Sequence, residues 1–98
     1  MIINKHQNGT ALTLKLEGRL DTTTAPLLEK ELNNSAAGAD SLTLDFDKLE
    51  YLSSAGIRVL VIAYKIMHGK GSLKIVNANE IVKEAIAVTG VGDIISVS

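Results

Sequence analysis

The sequence contains no cysteine and no tryptophan, a single proline, and only three aromatic residues: Phe46, Tyr51 and Tyr64. Without cysteine there are no disulfides, no thiolate nucleophile and no thiolate metal ligand. Without bulky aromatics, the core has to be assembled from Leu, Ile, Val and Ala. Basic clusters are missing as well. Ten Lys and Arg face eleven Asp and Glu, the net charge is −1, and no run of Lys or Arg exceeds two residues. That balance excludes the electrostatic footprint of a nucleic-acid binder. No stretch nears the roughly 18 apolar residues that span a bilayer. Met1-Ile2-Ile3-Asn4-Lys5-His6 also lacks the apolar run of a signal peptide. A cytoplasmic location is therefore expected, with no membrane partner. Asn8-Gly9-Thr10 and Asn33-Asn34-Ser35 fit the glycosylation pattern but, with no secretory signal, are chance matches. His6 and His68 stand far apart with no ligand spacing beside either. Both read as surface residues, and no metal or cofactor is expected.

What remains is a chain of 98 residues, 46% hydrophobic and 21% charged, the profile of one globular domain over 1–98. Ile2 to His6 reads as a strand and Gln7-Asn8-Gly9-Thr10 as a tight turn. Ala11 to Leu16 alternates Leu12, Leu14 and Leu16 with polar residues, giving a second strand and an antiparallel hairpin. Gly18-Arg19-Leu20-Asp21 ends that strand, Thr22, Thr23 and Thr24 offer N-caps, and Pro26 suits the first turn of a helix. Ala25, Leu28 and Leu32 form its apolar stripe. Asn33 to Asp40 is a loop with Gly38 as the helix stop. Ser41 to Phe46 is a strand, followed by a turn at Asp47-Lys48. Ile57, Leu60, Val61, Tyr64 and Met67 mark a second helix, stopped by His68-Gly69-Lys70-Gly71. A strand over Leu73 to Val76, a helix through Ile81, Val82, Ala85 and Ile86, a break at Gly90-Val91-Gly92 and a short strand around Ile94-Ile95 complete the chain. Strands joined through helices imply parallel neighbours and a mixed sheet carrying helices, an α/β architecture.

Function is concentrated in Tyr51-Leu52-Ser53-Ser54-Ala55-Gly56-Ile57, where a strand delivers two serines to the mouth of a helix. The first turn of a helix has unpaired N–H groups and the positive end of the dipole, so a phosphate on Ser54 would be stabilised there. The plain reading is that Ser53 or Ser54 simply caps the helix. A hydrolase reading needs Gly-x-Ser-x-Gly, but Leu52 occupies the first glycine position and no histidine is placed as base. His68-Gly69-Lys70-Gly71-Ser72 lacks Walker spacing and runs into a strand, so it reads as a helix-stop turn. Asp21 and Ser54 follow strands that, with parallel crossovers, emerge at one edge of the domain. Asp21 then either neighbours Ser54, caps the first helix, or does both.

Taken together, Gly18-Arg19-Leu20-Asp21, Leu44-Asp45-Phe46, the serine turn and Thr89-Gly90-Val91 resemble the STAS domain over essentially the whole chain. More narrowly, they resemble a stand-alone bacterial anti-sigma factor antagonist. The resemblance implies a STAS fold, no catalysis and no cofactor. It implies two partners: an anti-sigma factor that is also a serine kinase, and a PP2C-type phosphatase. The unmodified antagonist would bind the anti-sigma factor and free sigma, and phosphorylation at Ser54 would block that binding. Asp21, Thr22, Ser53, Ser54, Ala55, Gly56 and Arg58 would form the partner surface. The family pattern, Asp-Ser-Ser/Thr-Gly, aligns on Gly56 so that its aspartate falls on Ser53 and its second hydroxyl on Ala55. A STAS subunit of a non-sigma complex, in lipid transport or other signalling, would share the fold without needing the modification.

Overall fold

A computed structural model describes residues 1–98. Strand β1 (Ile2–Asn8) turns at Gly9 into β2 (Ala11–Leu20), and helix α1 (Ala25–Ser35) tightens into a 3-10 turn over Ala36–Gly38. Strand β3 (Ser41–Leu52) leads into α2 (Ser54–Met67), β4 (Ser72–Val76) and α3 (Glu80–Thr89). A 3-10 turn at Val91–Asp93 precedes β5 (Ser96–Val97). The five strands lie side by side in chain order; β1–β2 is antiparallel and every later pair is parallel. Each crossover advances one strand in the same direction, and right-handed crossovers then place all three helices on one face.

The alternation in β2 and β3 accounts for this layering. Leu12, Leu14 and Leu16 are buried while Lys15 is exposed, and Leu42, Leu44 and Phe46 are buried between half-buried polar residues. On the helical side, Ala25, Leu28 and Leu32 of α1, Ile57, Leu60 and Ala63 of α2, and Val82 and Ile86 of α3 close the core. Every buried residue is apolar. Phe46, the chain's one phenylalanine, is fully enclosed.

Three local expectations differ from the structure. Asp47-Lys48 is not a turn: β3 runs straight through it to Leu52. Pairing with β2 steps from Lys15↔Asp45 to Glu17↔Lys48, and from Gly18↔Leu49 to Arg19↔Tyr51, so β3 carries an extra residue at each of two bulges. Its buried positions there fall at Phe46, Leu49 and Leu52, three apart, which breaks the period-two signal of a strand. Gly38 does not stop α1 by a left-handed cap. The helix narrows into the 3-10 turn, and the Lys70 ammonium caps the Ala36 carbonyl at 2.9 Å. The last strand lies at Ser96–Val97, because the N–H groups of Ile94 and Ile95 are already spent on the Val91 carbonyl. Gly90, in contrast, does end α3 with a left-handed cap at φ 78°.

Candidate functional site

The two serines owe their position to the end of the β2–β3 ladder. Leu20 pairs with Leu52, and the Ser53 N–H donates to the Leu20 carbonyl at 2.9 Å. Asp21 and Ser53 are therefore the residues that directly follow one cross-strand pair. They lead into α1 and α2 from the same end of the sheet.

Ser53 is the N-cap residue of α2, with extended backbone (φ −95°, ψ 176°), and its carbonyl accepts the Ile57 N–H at 2.9 Å. Its side chain makes no capping bond, and Oγ is buried with no hydrogen-bond partner. The capping role expected of a serine here is thus filled by position and not by the hydroxyl. Ser54 is the first residue of α2 and is exposed. Ala55 is half-buried, Gly56 buried, and Arg58 exposed one turn further on.

Gly56 is required by contact. A Cβ at this position would fall 2.6 Å from Leu52 Cδ1, 2.8 Å from Leu20 Cγ and 3.0 Å from the Leu20 carbonyl oxygen. The absent side chain lets the first turn of α2 sit directly on the ends of β2 and β3. This seat holds Ser54 at the rim.

Asp21 organises the neighbouring turn. Its Oδ1 accepts from the Thr23 hydroxyl (2.8 Å), the Thr23 N–H (3.1 Å) and the Thr24 N–H (3.3 Å). The Thr24 hydroxyl in turn donates to the Arg19 carbonyl at 2.7 Å. Asp21 therefore fixes the turn that leads into α1, and its backbone carbonyl, not its carboxylate, accepts the Ala25 N–H at 2.8 Å. It does so at the Ser54 end of the sheet. The Thr23 hydroxyl, followed by the backbone N–H groups of Thr23 and Thr24, holds the Asp21 carboxyl below its usual range against an opposing desolvation. Thr22 is exposed on the same turn.

Three further residues lie at this end of the sheet. The Arg19 guanidinium lies 4.3 Å from the Tyr51 ring centre and 3.7 Å from Asp21 Oδ2. Tyr51 is 37% exposed, and Leu27 in the first turn of α1 is 52% exposed. Arg19 and Tyr51 face each other only because of the second bulge, so no spacing in the sequence could have paired them. No three His, Cys, Asp or Glu side chains are grouped to hold a metal ion, and no helix is long and apolar enough to cross a membrane. His68 packs its ring against Tyr64.

Comparison with known proteins gives a consistent result. The STAS domain model matches residues 2–98. The anti-sigma-B factor antagonist of Bacillus subtilis is 29% identical over 97 residues, which is 98% of this chain and 89% of that protein. The crystal structure of an anti-sigma factor antagonist from Mycobacterium paratuberculosis superposes with a TM-score of 0.90 at 21% identity, covering 98% of this chain and 83% of that one. The Bacillus cell fate determinant SpoIIAA in its phosphorylated form gives 0.77 at 12% identity, covering 99% and 91%. At these identities the two superpositions speak for the fold.

Proposed function

Because the chain belongs to the STAS domain family, we propose that it is an anti-sigma factor antagonist switched by phosphorylation at Ser54. The family is one of regulatory binding proteins rather than enzymes. In this reading the unmodified protein binds an anti-sigma factor that is also a serine kinase, and sigma is released. Phosphate on Ser54 ends the binding, and a PP2C-type phosphatase restores it.

The observation that carries the reading is the placement of Ser54: exposed, first in α2, at the sheet end where Asp21 also emerges. A hydroxyl there is open to a kinase, and its phosphate meets unpaired N–H groups of the helix. Phosphorylation adds about −1.5 to −2 charges at neutral pH. Placed in an interface beside Asp21, that charge costs a few kcal/mol of affinity, on the order of breaking a buried charge pair. No refolding is needed, because the change is local.

Incubation with the cognate anti-sigma kinase and ATP is expected to add one phosphate, mapped by mass spectrometry to Ser54 and lost in Ser54→Ala. No phosphate, or phosphate on Ser53 alone, would sink the assignment. Ser53 standing where the family pattern has aspartate favours a second reading, a STAS subunit of a non-sigma complex that works unmodified. Under that reading no kinase modifies Ser54.

A further inference from the structure

We infer that Arg58 is the built-in counter-charge of a phosphate on Ser54, forming a phosphoserine–arginine pair across the first turns of α2. The inference rests on Ser54 being the modified residue. Ser54 and Arg58 are four residues apart on one helix and both are exposed. Such positions share a face, with Cβ atoms about 5–6 Å apart. Helical side chains lean toward the N-terminus, so Arg58 covers the turn that Ser54 opens. An acid four residues before a base is also the favourable order for such a pair.

Arg58 has no competing commitment. The ion pairs of the molecule are Arg19–Asp21 and Lys83–Glu80, and the first turn of α2 contains no acidic residue. Arg19, the other arginine at this end, is already held by Tyr51 and Asp21. The planar guanidinium of Arg58 can grip two phosphate oxygens at once. Charged or titratable groups of this end also include the Met1 amino terminus beside Gly18, Arg19 on β2, Asp21 on the turn before α1, and Glu50 and Tyr51 on β3. Asp21 repels the phosphate, and Arg58 offsets that repulsion. Pairing then withdraws two groups from a partner together, the Ser54 hydroxyl and the Arg58 fork.

The test uses the full chain with phosphoserine genetically encoded at position 54, followed by ³¹P NMR through a pH titration. The second ionisation is expected below the value of about 6 for free phosphoserine. Arg58→Gln should raise it by about 0.3 pKa units or more, and Arg58→Lys by less. Both differences should shrink at about 0.5 M salt, as ionic screening increases. The helix N–H groups act equally in all three proteins, so the difference isolates the arginine. Titration of Arg58→Gln within about 0.1 unit of the parent would overturn the inference, given the size expected of such a pair. So would an equal rise in Lys65→Gln at the far end of α2, since that would reduce the effect to net charge. The phosphate is installed without a kinase, so the failure of a kinase to modify Ser54 would refute the proposed function without mimicking either result.

Discussion

Ser53 is where two residue-level rules meet and the structure chooses between them. Replacing a serine N-cap with alanine ordinarily costs about 1 kcal/mol. Here the hydroxyl makes no capping bond and is buried without a partner. An unsatisfied buried polar group costs about 1–3 kcal/mol. Ser53→Ala is therefore expected to leave stability unchanged or raise it by about 1 kcal/mol, measured as the denaturation midpoint at constant m-value. A loss of 1 kcal/mol would mean that the hydroxyl has a partner after all. Asp21 gives a pH prediction at the same scale. Its carboxyl is held low by the Thr23 hydroxyl and the N–H groups of Thr23 and Thr24. A lowered folded-state value contributes stability above the unfolded value and loses it as pH falls through the folded value, so the window opens below about pH 4. Asp21→Asn keeps an acceptor for the turn but cannot titrate. Its thermal midpoint should fall less steeply than that of the parent between about pH 4 and pH 2, and parallel curves would contradict the assignment.

Among the elements, α2 and β3 decide the geometry of the site. The first turn of α2 rests on Leu20 and Leu52 through Gly56, where a Cβ would clash at 2.6–3.0 Å. Leu52 Cδ1 can move, but the Leu20 carbonyl oxygen is backbone and already accepts the Ser53 N–H. Gly56→Ala is expected to destabilise by about 1–3 kcal/mol, the usual range for overpacking, despite the better helix propensity of alanine. Amide spectra should show the shifts centred on Ser53 and Ser54. A gain in stability would show that the seat is loose. Within β3, the two bulges explain why this strand was the least legible element. Residues 41–46 alternate and are recognisable from sequence alone, whereas Phe46, Leu49 and Leu52 point inward at intervals of three. An interval of three with two polar residues between resembles a turn or a helix, and only the ladder to β2 identifies it as strand.

At the scale of the whole molecule, the sequential sheet with uniform crossovers brings the N-termini of α1 and α2 to one end. That end carries Asp21, Thr22, Ser54 and Arg58, together with the exposed Leu27 of α1 and Tyr51 of β3. Charged groups at the same end as an exposed tyrosine and an exposed leucine suit a protein partner. Ser54→Asp is expected to reduce affinity for the anti-sigma factor at least tenfold in a calorimetric titration, a penalty of about 1.4 kcal/mol or more. Its thermal midpoint should stay within a few degrees of the parent, because Ser54 is exposed and acid is favourable in a first helical turn. Undiminished affinity would favour the unswitched module.

By itself the sequence determined what depends on near neighbours. The Asn8-Gly9 turn, the alternation of β2, the Pro26 start of α1, the Gly90 stop of α3 and the serine turn before α2 each rest on a few consecutive residues. Their order was enough to imply the mixed sheet and to place Asp21 and Ser54 after adjacent strands. Tertiary structure decided whatever depends on register between strands. It extended β3 through Asp47-Lys48, stacked Arg19 on Tyr51, crowded Gly56 against Leu20 and left the Ser53 hydroxyl unpartnered. The physical reason is that a bulge adds a residue without leaving a local signal, and one added residue changes which side chains meet across the ladder.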